Sequence, residues 1–280
     1  MEYSEYVKVL TIAGSDSSGG AGVQADIKTM SSLGVYAASA ITAVTVQNTK
    51  GVTAVHTIPP DIIEGQIRSV MDDLRPSHVK IGMLPDAQSM KAVANALEDY
   101  EGTTVVLDPV MVATSGDRLM EDDALQCLRK MLLPASFMLT PNIPEAEALA
   151  GMTIREADDI DKAAVKIAIY GTKWILVKGG HIEGETKEDR LYCEGKLLKT
   201  YCSNTVDTPN THGTGCTLSS AVAAWLARGC DVEEAVEKAK DYVYKAIEAG
   251  ANFRTGMGHG PVNHFHAPLQ LCTKPKRETT

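Results

Sequence analysis

The sequence predicts an α/β protein in which a mostly parallel sheet carries helices on both faces. Two observations predict it. Short apolar runs alternate with segments whose apolar residues recur at helical spacing along most of the 280 residues, and strands that are apolar throughout are strands covered on both faces. The chain also opens as a strand, a Gly/Ser loop and a helix, the β-loop-α unit from which such sheets are built.

Residues 7–13 read as the first strand, residues 14–20 as its loop, and residues 21–33 as a helix that Gly34 stops. Residues 36–46, rich in Ala, Ile, Thr and Val, read as a second strand, and residues 51–58 alternate as a short third one. Pro59-Pro60-Asp61 then breaks the chain and opens a helix to Leu74. From there the alternation is regular: strand 78–81, helix 86–100, strand 104–107, helix 122–132, strand 137–140, a helix around 157–170 and strand 174–177. Residues 191–201, turning at Glu194-Gly195, read as a hairpin. In residues 218–228, Leu218, Ala221, Val222, Trp225 and Leu226 recur at helical spacing, with Arg228 in the last turn and Gly229 beyond it. A last helix covers 232–249. One domain over residues 1–270 is expected, followed by a polar, frayed tail over 271–280.

A 44% hydrophobic and 22% charged composition is that of an ordinary globular protein. The net charge of -9 argues against nucleic acid or an anionic membrane as partner, since such a surface repels both. No apolar run reaches the length of a bilayer span, and the acidic start Met1-Glu2-Tyr3-Ser4-Glu5 is not that of a signal peptide. Six cysteines without a C-x-x-C pair or zinc spacing read as free thiols in a reducing compartment, and the expected location is the cytoplasm.

In open parallel sheets ligands collect beyond the carboxyl ends of the strands, so the loops that follow strands carry the functional information. The first, residues 14–22, lacks the spacing of a dinucleotide fingerprint and the Lys-Ser/Thr pair of a P-loop, which disfavours a nicotinamide enzyme and a P-loop NTPase. Asp16 and Asp26 there fit a polar ligand, or equally an N-cap and a solvated helix residue. Asp108-Pro109-Val110 sets an acid just past a strand, as a metal or ligand would need and as a plain turn would also have. Asn142 and Glu145 stand three apart at a helix start, which fits a capping box or a pair of oxygens holding magnesium-bound water. Lys178-Gly179-Gly180-His181 puts a cation beside backbone that an anion can approach.

Thr211-His212-Gly213-Thr214-Gly215-Cys216-Thr217 runs straight into a helix. Free amides and the positive end of the helix dipole there favour a phosphate, and a thiol there is expected to lean toward thiolate. The competing reading is a Gly-rich connection with Cys216 as a small buried hydrophobe. His264-Phe265-His266 shows no third metal ligand, and packing of a C-terminal segment is the reading preferred. An Asp, an Asn/Glu pair, a Lys and an anion cradle on four successive strand-end loops form the kit for phosphoryl transfer.

Taken together these segments resemble the hydroxymethylpyrimidine/phosphomethylpyrimidine kinases of thiamine synthesis, within the ribokinase-like superfamily, from about residue 9 to 267. The likeness is carried by Thr11-Ile12-Ala13-Gly14-Ser15-Asp16, Ser18-Gly19-Gly20-Ala21-Gly22-Val23-Gln24-Ala25-Asp26, Val46-Gln47-Asn48-Thr49, Lys80-Ile81-Gly82-Met83-Leu84 and Leu107-Asp108-Pro109-Val110-Met111. It continues through Thr140-Pro141-Asn142-Ile143-Pro144-Glu145, Lys178-Gly179-Gly180-His181, Asn210-Thr211-His212-Gly213-Thr214-Gly215-Cys216-Thr217 and Gly260-Pro261-Val262-Asn263-His264-Phe265-His266.

The resemblance implies a ribokinase-like three-layer sandwich and a small β flap from the 51–58 region that covers substrate and joins two subunits into a homodimer. It also implies ATP with Mg2+ as phosphoryl donor. Gly14, Asp26, Gln47, Met83 and Val110 would surround the pyrimidine, with Gln47 and Asp26 reading its polar edge. Glu145 and Asp108 would hold magnesium through water, Asn142, Lys178 and Thr214 would contact the ATP phosphates, and Gly213, Gly215 and Cys216 would form the catalytic anion hole with Lys178.

The sugar-kinase branch carries Asp at the position of Cys216, which argues against a sugar. The implied reaction is phosphorylation of 4-amino-5-hydroxymethyl-2-methylpyrimidine and then of its monophosphate. A vitamin B6 kinase of the same fold is the alternative, and a non-catalytic pyrimidine-binding regulator is a more distant one. Gln47 favours the aminopyrimidine, because an amide both donates to and accepts from its ring edge.

Overall fold

A computed structural model describes residues 4–111, 122–179 and 186–274. Among them runs a nine-stranded sheet with strand order β3-β2-β1-β4-β5-β6-β7-β8-β9. The strands are β1 (Lys8–Asp16), β2 (Tyr36–Asn48), β3 (Gly51–Thr57), β4 (His78–Ile81), β5 (Thr104–Leu107), β6 (Met138–Leu139), β7 (Trp174–Lys178), β8 (Thr186–Cys193) and β9 (Lys196–Asn204). From β2 through β1, β4, β5 and β6 to β7 every pairing is parallel, while β3, β8 and β9 pair antiparallel at the two edges.

Alternate residues of the central strands feed two separate cores. Leu10, Ile12, Val79, Ile81, Val105 and Leu107 face one side, packed by α2 (Pro60–Asp73), α3 (Ala87–Glu98), α6 (Ile143–Ala150) and α7 (Ala157–Ala168). Val9, Val106, Met138 and Leu176 face the other, under α1 (Gly22–Ser32), α8 (Thr214–Ala227) and α9 (Val232–Gly250). This is the three-layer α/β sandwich the sequence predicts, and its reason is the one expected, burial of wholly apolar strands on both faces. The remaining helical stretch, α4 (Asp122–Cys127), passes through one π turn (Leu128–Leu132) into α5 (Leu133–Ala135) on the first side.

Several boundaries move. β1 runs on to Asp16 and β2 to Asn48, so Gly14 and Gln47, read as loop and post-strand residues, lie in strands. The long end of β2 pairs with β3 as a two-stranded flap standing off the sheet edge. The hairpin at Glu194-Gly195 is present, both residues having positive φ (52° and 75°) as a two-residue turn needs, but its strands reach out to Thr186 and Asn204. The tail is tied down further than its polarity suggested: Val7 N donates to Cys272 O, Cys272 N to Gly34 O and Lys274 N to Glu5 O. Residues 275–280 of that tail, and the first three residues, lie outside the described part. Among the described residues no helix is long and apolar enough to cross a membrane.

Candidate active site

Strand order reverses between β1 and β4, the place where an α/β sheet opens a crevice at its carboxyl end. A cavity of about 840 Å³ lies there. Gly14 near the end of β1 and Met83 just past β4 touch across the reversal; a Cβ on Gly14 would sit 2.9 Å from the Met83 sulfur. Gln47 reaches in from the flap, Val110 and Asp108 from the loop after β5, Asn142 and Glu145 from the start of α6, and Lys178 from the end of β7. The first turn of α8 closes it.

That turn begins four residues earlier than the apolar periodicity indicated, because Thr214, Gly215 and Cys216 are polar or small yet helical. Gly213 is the N-cap with φ +80°, and a Cβ there would lie 1.9 Å from the Gly20 carbonyl oxygen. Both the left-handed backbone and the contact with the first loop therefore require glycine. The amides of Gly215 and Cys216 have no carbonyl within the helix to bind and face the cavity as an anion cradle. Thr214 also lines the cavity, but its N–H and hydroxyl both donate to Thr211 O, at 3.3 and 3.0 Å. Its donors are turned away from a phosphate.

Asp108 and Lys178 form a buried ion pair, Nζ to Oδ1 2.8 Å, and Asp108 also accepts from Thr140 (3.2 Å) and from Ser219 on α8 (3.2 Å). Burial works against the Asp108 charge, yet Lys178 and Lys80 hold its carboxyl below the usual range. Asn142 and Glu145 make the full capping box, Glu145 N donating to Asn142 Oδ1 (2.9 Å) and Asn142 N to Glu145 Oε2 (2.7 Å). Glu145 nonetheless lines the cavity 3.9 Å from Lys178 Nζ, and burial raises its pKa to about 7 against the pull of Lys178.

Two expectations are corrected. Asp26 does not line the cavity: it is fully buried, both its oxygens 2.9 Å from Lys80 Nζ, with Thr11 and Ser220 donating to them as well. A carboxylate so occupied reads no substrate edge; it is neither solvated nor a ligand but the counter-ion of a buried lysine. Nor is Cys216 a thiolate. Its sulfur is held near the Gly22 amide and Lys80, but burial dominates and pushes the thiol up to about 11.

Three participants escaped the sequence reading. His212 lines the cavity with its Nε2 2.8 Å from Asp16 Oδ2, and a polar residue beside the Gly-rich loop was the available signal. Lys80 is wholly buried in β4 beneath the cradle, and a lone Lys inside an apolar strand was its signal. A third group, Lys187, Asp189, Lys240, Val243, Tyr244 and Ile247, extends the cavity between the edge hairpin and α9. Nothing in its sequence spacing marks it.

His264 packs behind the cradle, Nε2 3.1 Å from Thr217 Oγ1, and burial lowers its pKa to about 4; it is a packing residue, as preferred for that segment. Gly180 and His181 lie outside the described residues. Among the described residues no three His, Cys, Asp or Glu side chains are grouped to hold a metal by themselves. Two carboxylates beside a phosphate-sized cradle fit magnesium in the way that ion is usually held, through one or two carboxylates, waters and the phosphates themselves.

Comparison with known proteins agrees with this geometry. The family model described as phosphomethylpyrimidine kinase matches residues 16–263. A hydroxymethylpyrimidine/phosphomethylpyrimidine kinase of Rhizobium meliloti is 47% identical over 258 residues, covering 92% of this chain and 96% of its own. The crystal structure of a phosphomethylpyrimidine kinase from Clostridium difficile superposes with TM-score 0.76 at 43% identity, over 86% of this chain and 99% of its own. An ADP complex of Bacillus subtilis pyridoxal kinase superposes with TM-score 0.84 at 36% identity, over 94% and 98%. With its ribokinase-like sandwich and its lysine, carboxylates and anion cradle at one crevice, the chain belongs to the phosphomethylpyrimidine kinase family and is a phosphotransferase.

Proposed function

We propose that this kinase transfers the γ-phosphoryl group of ATP to the hydroxymethyl oxygen of 4-amino-5-hydroxymethyl-2-methylpyrimidine, and then a second one to the resulting monophosphate. The observation that carries this reading is one cavity that joins the amide of Gln47 to the Gly213–Cys216 turn and to Lys178. An amide offers a donor and an acceptor side by side, which suits an amino group next to a ring nitrogen. The ring would lie between Met83, Val110 and Gly14.

The nucleotide would enter from the α9 side, where Val243, Tyr244 and Ile247 offer an apolar wall; the ADP-bound pyridoxal kinase supports a nucleotide in this fold. Lys178 and the amides of Gly215 and Cys216 would take the charge of the transferred group, and Asn142 would turn its side chain to the phosphates. Asp108 and Glu145 would hold Mg2+ through water, and the ion, when bound, neutralises charge developing on the phosphate oxygens. Cys216, protonated at neutral pH, would orient the attacking hydroxyl rather than deprotonate it beforehand. In the second transfer the attacking oxygen belongs to a phosphate monoester whose second pKa is about 6, so it is already ionised.

Residues 1–270 would act as one domain. The free state of all six thiols is consistent with the cytoplasm. The outer face of the flap, with Val44 and Val46 exposed, would pair two subunits.

Steady-state kcat/KM measured side by side for the hydroxymethylpyrimidine, its monophosphate and pyridoxal tests the reading. Both pyrimidines are expected to exceed pyridoxal by at least ~10-fold, the scale that one well-matched polar edge supplies. A higher value for pyridoxal would overturn it in favour of a vitamin B6 kinase, and ATP consumption with none of the three would leave only a binding role.

A further inference from the structure

Hydrogen-bond accounting around Gln47 decides something that its position alone does not: which end of the amide faces which way. One end lies 2.9 Å from Thr45 Oγ1 and the other 3.4 Å from His212 Nε2. His212 Nε2 also lies 2.8 Å from Asp16 Oδ2. Asp16 is 3% exposed, and although burial opposes its charge, hydrogen bonds from His212, Ser18 and Ala21 hold its carboxyl far below the usual range. An ionised carboxylate only accepts. His212 Nε2 must therefore carry a proton whether the ring is neutral or charged, and it has no lone pair for an amide N–H.

The other end is constrained in the same sense. Thr45 Oγ1 has one proton, which it donates to Ser15 O at 2.9 Å, leaving the hydroxyl free to accept. Both ends are satisfied at once only if the Gln47 carbonyl faces His212 and its NH2 faces Thr45. The opposite orientation would bring two donors together at His212 and ask Thr45 for a second proton. The two ends of an amide are nearly equal in shape, so partners of this kind are what assign it.

We infer that His212, held by Asp16, is a specificity-determining positioning residue: it fixes Gln47 with its acceptor toward the cradle side and its donor toward the flap. This rests on the pyrimidine reading above and deepens it. His212 immediately precedes Gly213, so the acceptor end adjoins the turn where the hydroxymethyl arm must arrive. On the proposed ring the amino group is the neighbour of that arm and the ring nitrogen comes next. Donor then acceptor on the ring meets acceptor then donor on Gln47. A ring that carries an oxo group and an N–H at those two positions presents the reverse order, and the fixed amide rejects it.

His212 is a built part of the site. It is 6% exposed, and a Cβ on Gly20 would sit 2.3 Å from its Cδ2, so the first loop is shaped around the ring. The substitution His212→Phe keeps a flat ring but no donor. Asp16 would still accept from Ser18 N, Ser18 Oγ, Gly20 N and Ala21 N. Without His212 the Thr45 hydroxyl can turn to serve either amide orientation, and selection between the two rings should collapse.

The test is calorimetric binding, without nucleotide, of 4-amino- and 4-oxo-5-hydroxymethyl-2-methylpyrimidine to wild-type protein and to His212→Phe. Wild type is expected to favour the amino ring by at least ~10-fold and the variant by less than about 3-fold, since one reversed hydrogen-bond pair is at stake. A variant that keeps the wild-type ratio overturns this inference and leaves the functional reading standing. Wild type that binds neither ring overturns both. Imidazole 15N NMR of the wild-type protein needs no variant to fold: a proton on Nε2 of His212 is expected, and a bare Nε2 overturns the assignment.

Discussion

Cys216 sits where the substrate hydroxyl must arrive, and its environment determines what it can do there. With the thiol pushed up to about 11, about one molecule in ten thousand carries a thiolate at pH 7. A base so rarely available contributes little, whereas a thiol that orients the hydroxyl is always present. Cys216→Ala is therefore expected to slow the first transfer at least ~10-fold and the second less than about 3-fold, since only the first uses a neutral oxygen. Rapid-quench measurement of each step checks this; equal losses would reduce the thiol to a wall of the cradle.

Glu145 gives the site a pH dependence of definite sign. Burial raises its pKa to about 7 from an ordinary 4.5, so it becomes a carboxylate, able to attract a hydrated cation, only as pH rises through about 7. Affinity for the metal–nucleotide should increase across that interval and be flat there in Glu145→Gln, read by fluorescence titration. The same shift acts on stability. A folded pKa above the free value stabilises the protein below about 4.5, and that contribution is lost as pH rises through about 7. Thermal unfolding of the ligand-free Glu145→Gln protein should lack that decline.

At the level of elements, α8 joins the chemistry to the sheet. Two consecutive serines on it reach two buried carboxylates, Ser219 to Asp108 on the β5 loop and Ser220 to Asp26 on α1. Each carboxylate is paired with a lysine from a strand, Lys178 from β7 and Lys80 from β4. The helix is thereby held in register over the strand ends while its first turn stays open to the cavity. Lys80 and Asp26 are both fully buried, and removing one member of such a pair leaves an uncompensated charge. Lys80→Met is expected to cost about 3–5 kcal/mol by urea denaturation, and the double substitution Lys80→Met/Asp26→Leu to recover much of it. If the single variant is as stable as wild type, the pair has no structural weight.

For the whole molecule, the flap is the part least explained by one chain. Along β2 Thr45 is buried and Gln47 faces the cavity, while Val44 and Val46 are 42% and 59% exposed on the opposite face. Two aspartates there, Val44→Asp/Val46→Asp, are expected to turn a dimer into a monomer in sedimentation velocity; a monomeric wild type would end that reading.

The sequence by itself determined the sandwich, because apolar strands between amphipathic helices have few other ways to bury both faces. It also identified the strand-end loops, since at those positions polar and glycine residues interrupt an otherwise apolar pattern. Gln47, Lys178, Asp108, Asn142, Glu145 and the Gly213 turn were all legible on that ground, and all line the cavity. Only the tertiary structure decided what surrounds each one. Asp26 left the site because a lysine more than fifty positions away neutralises it. Cys216 kept its proton because layers distant in sequence exclude water from it. His212 entered the site because Asp16, nearly two hundred positions earlier, fixes its proton. Periodicity is a property of neighbours along the chain, whereas charge state and hydrogen-bond direction depend on neighbours in space.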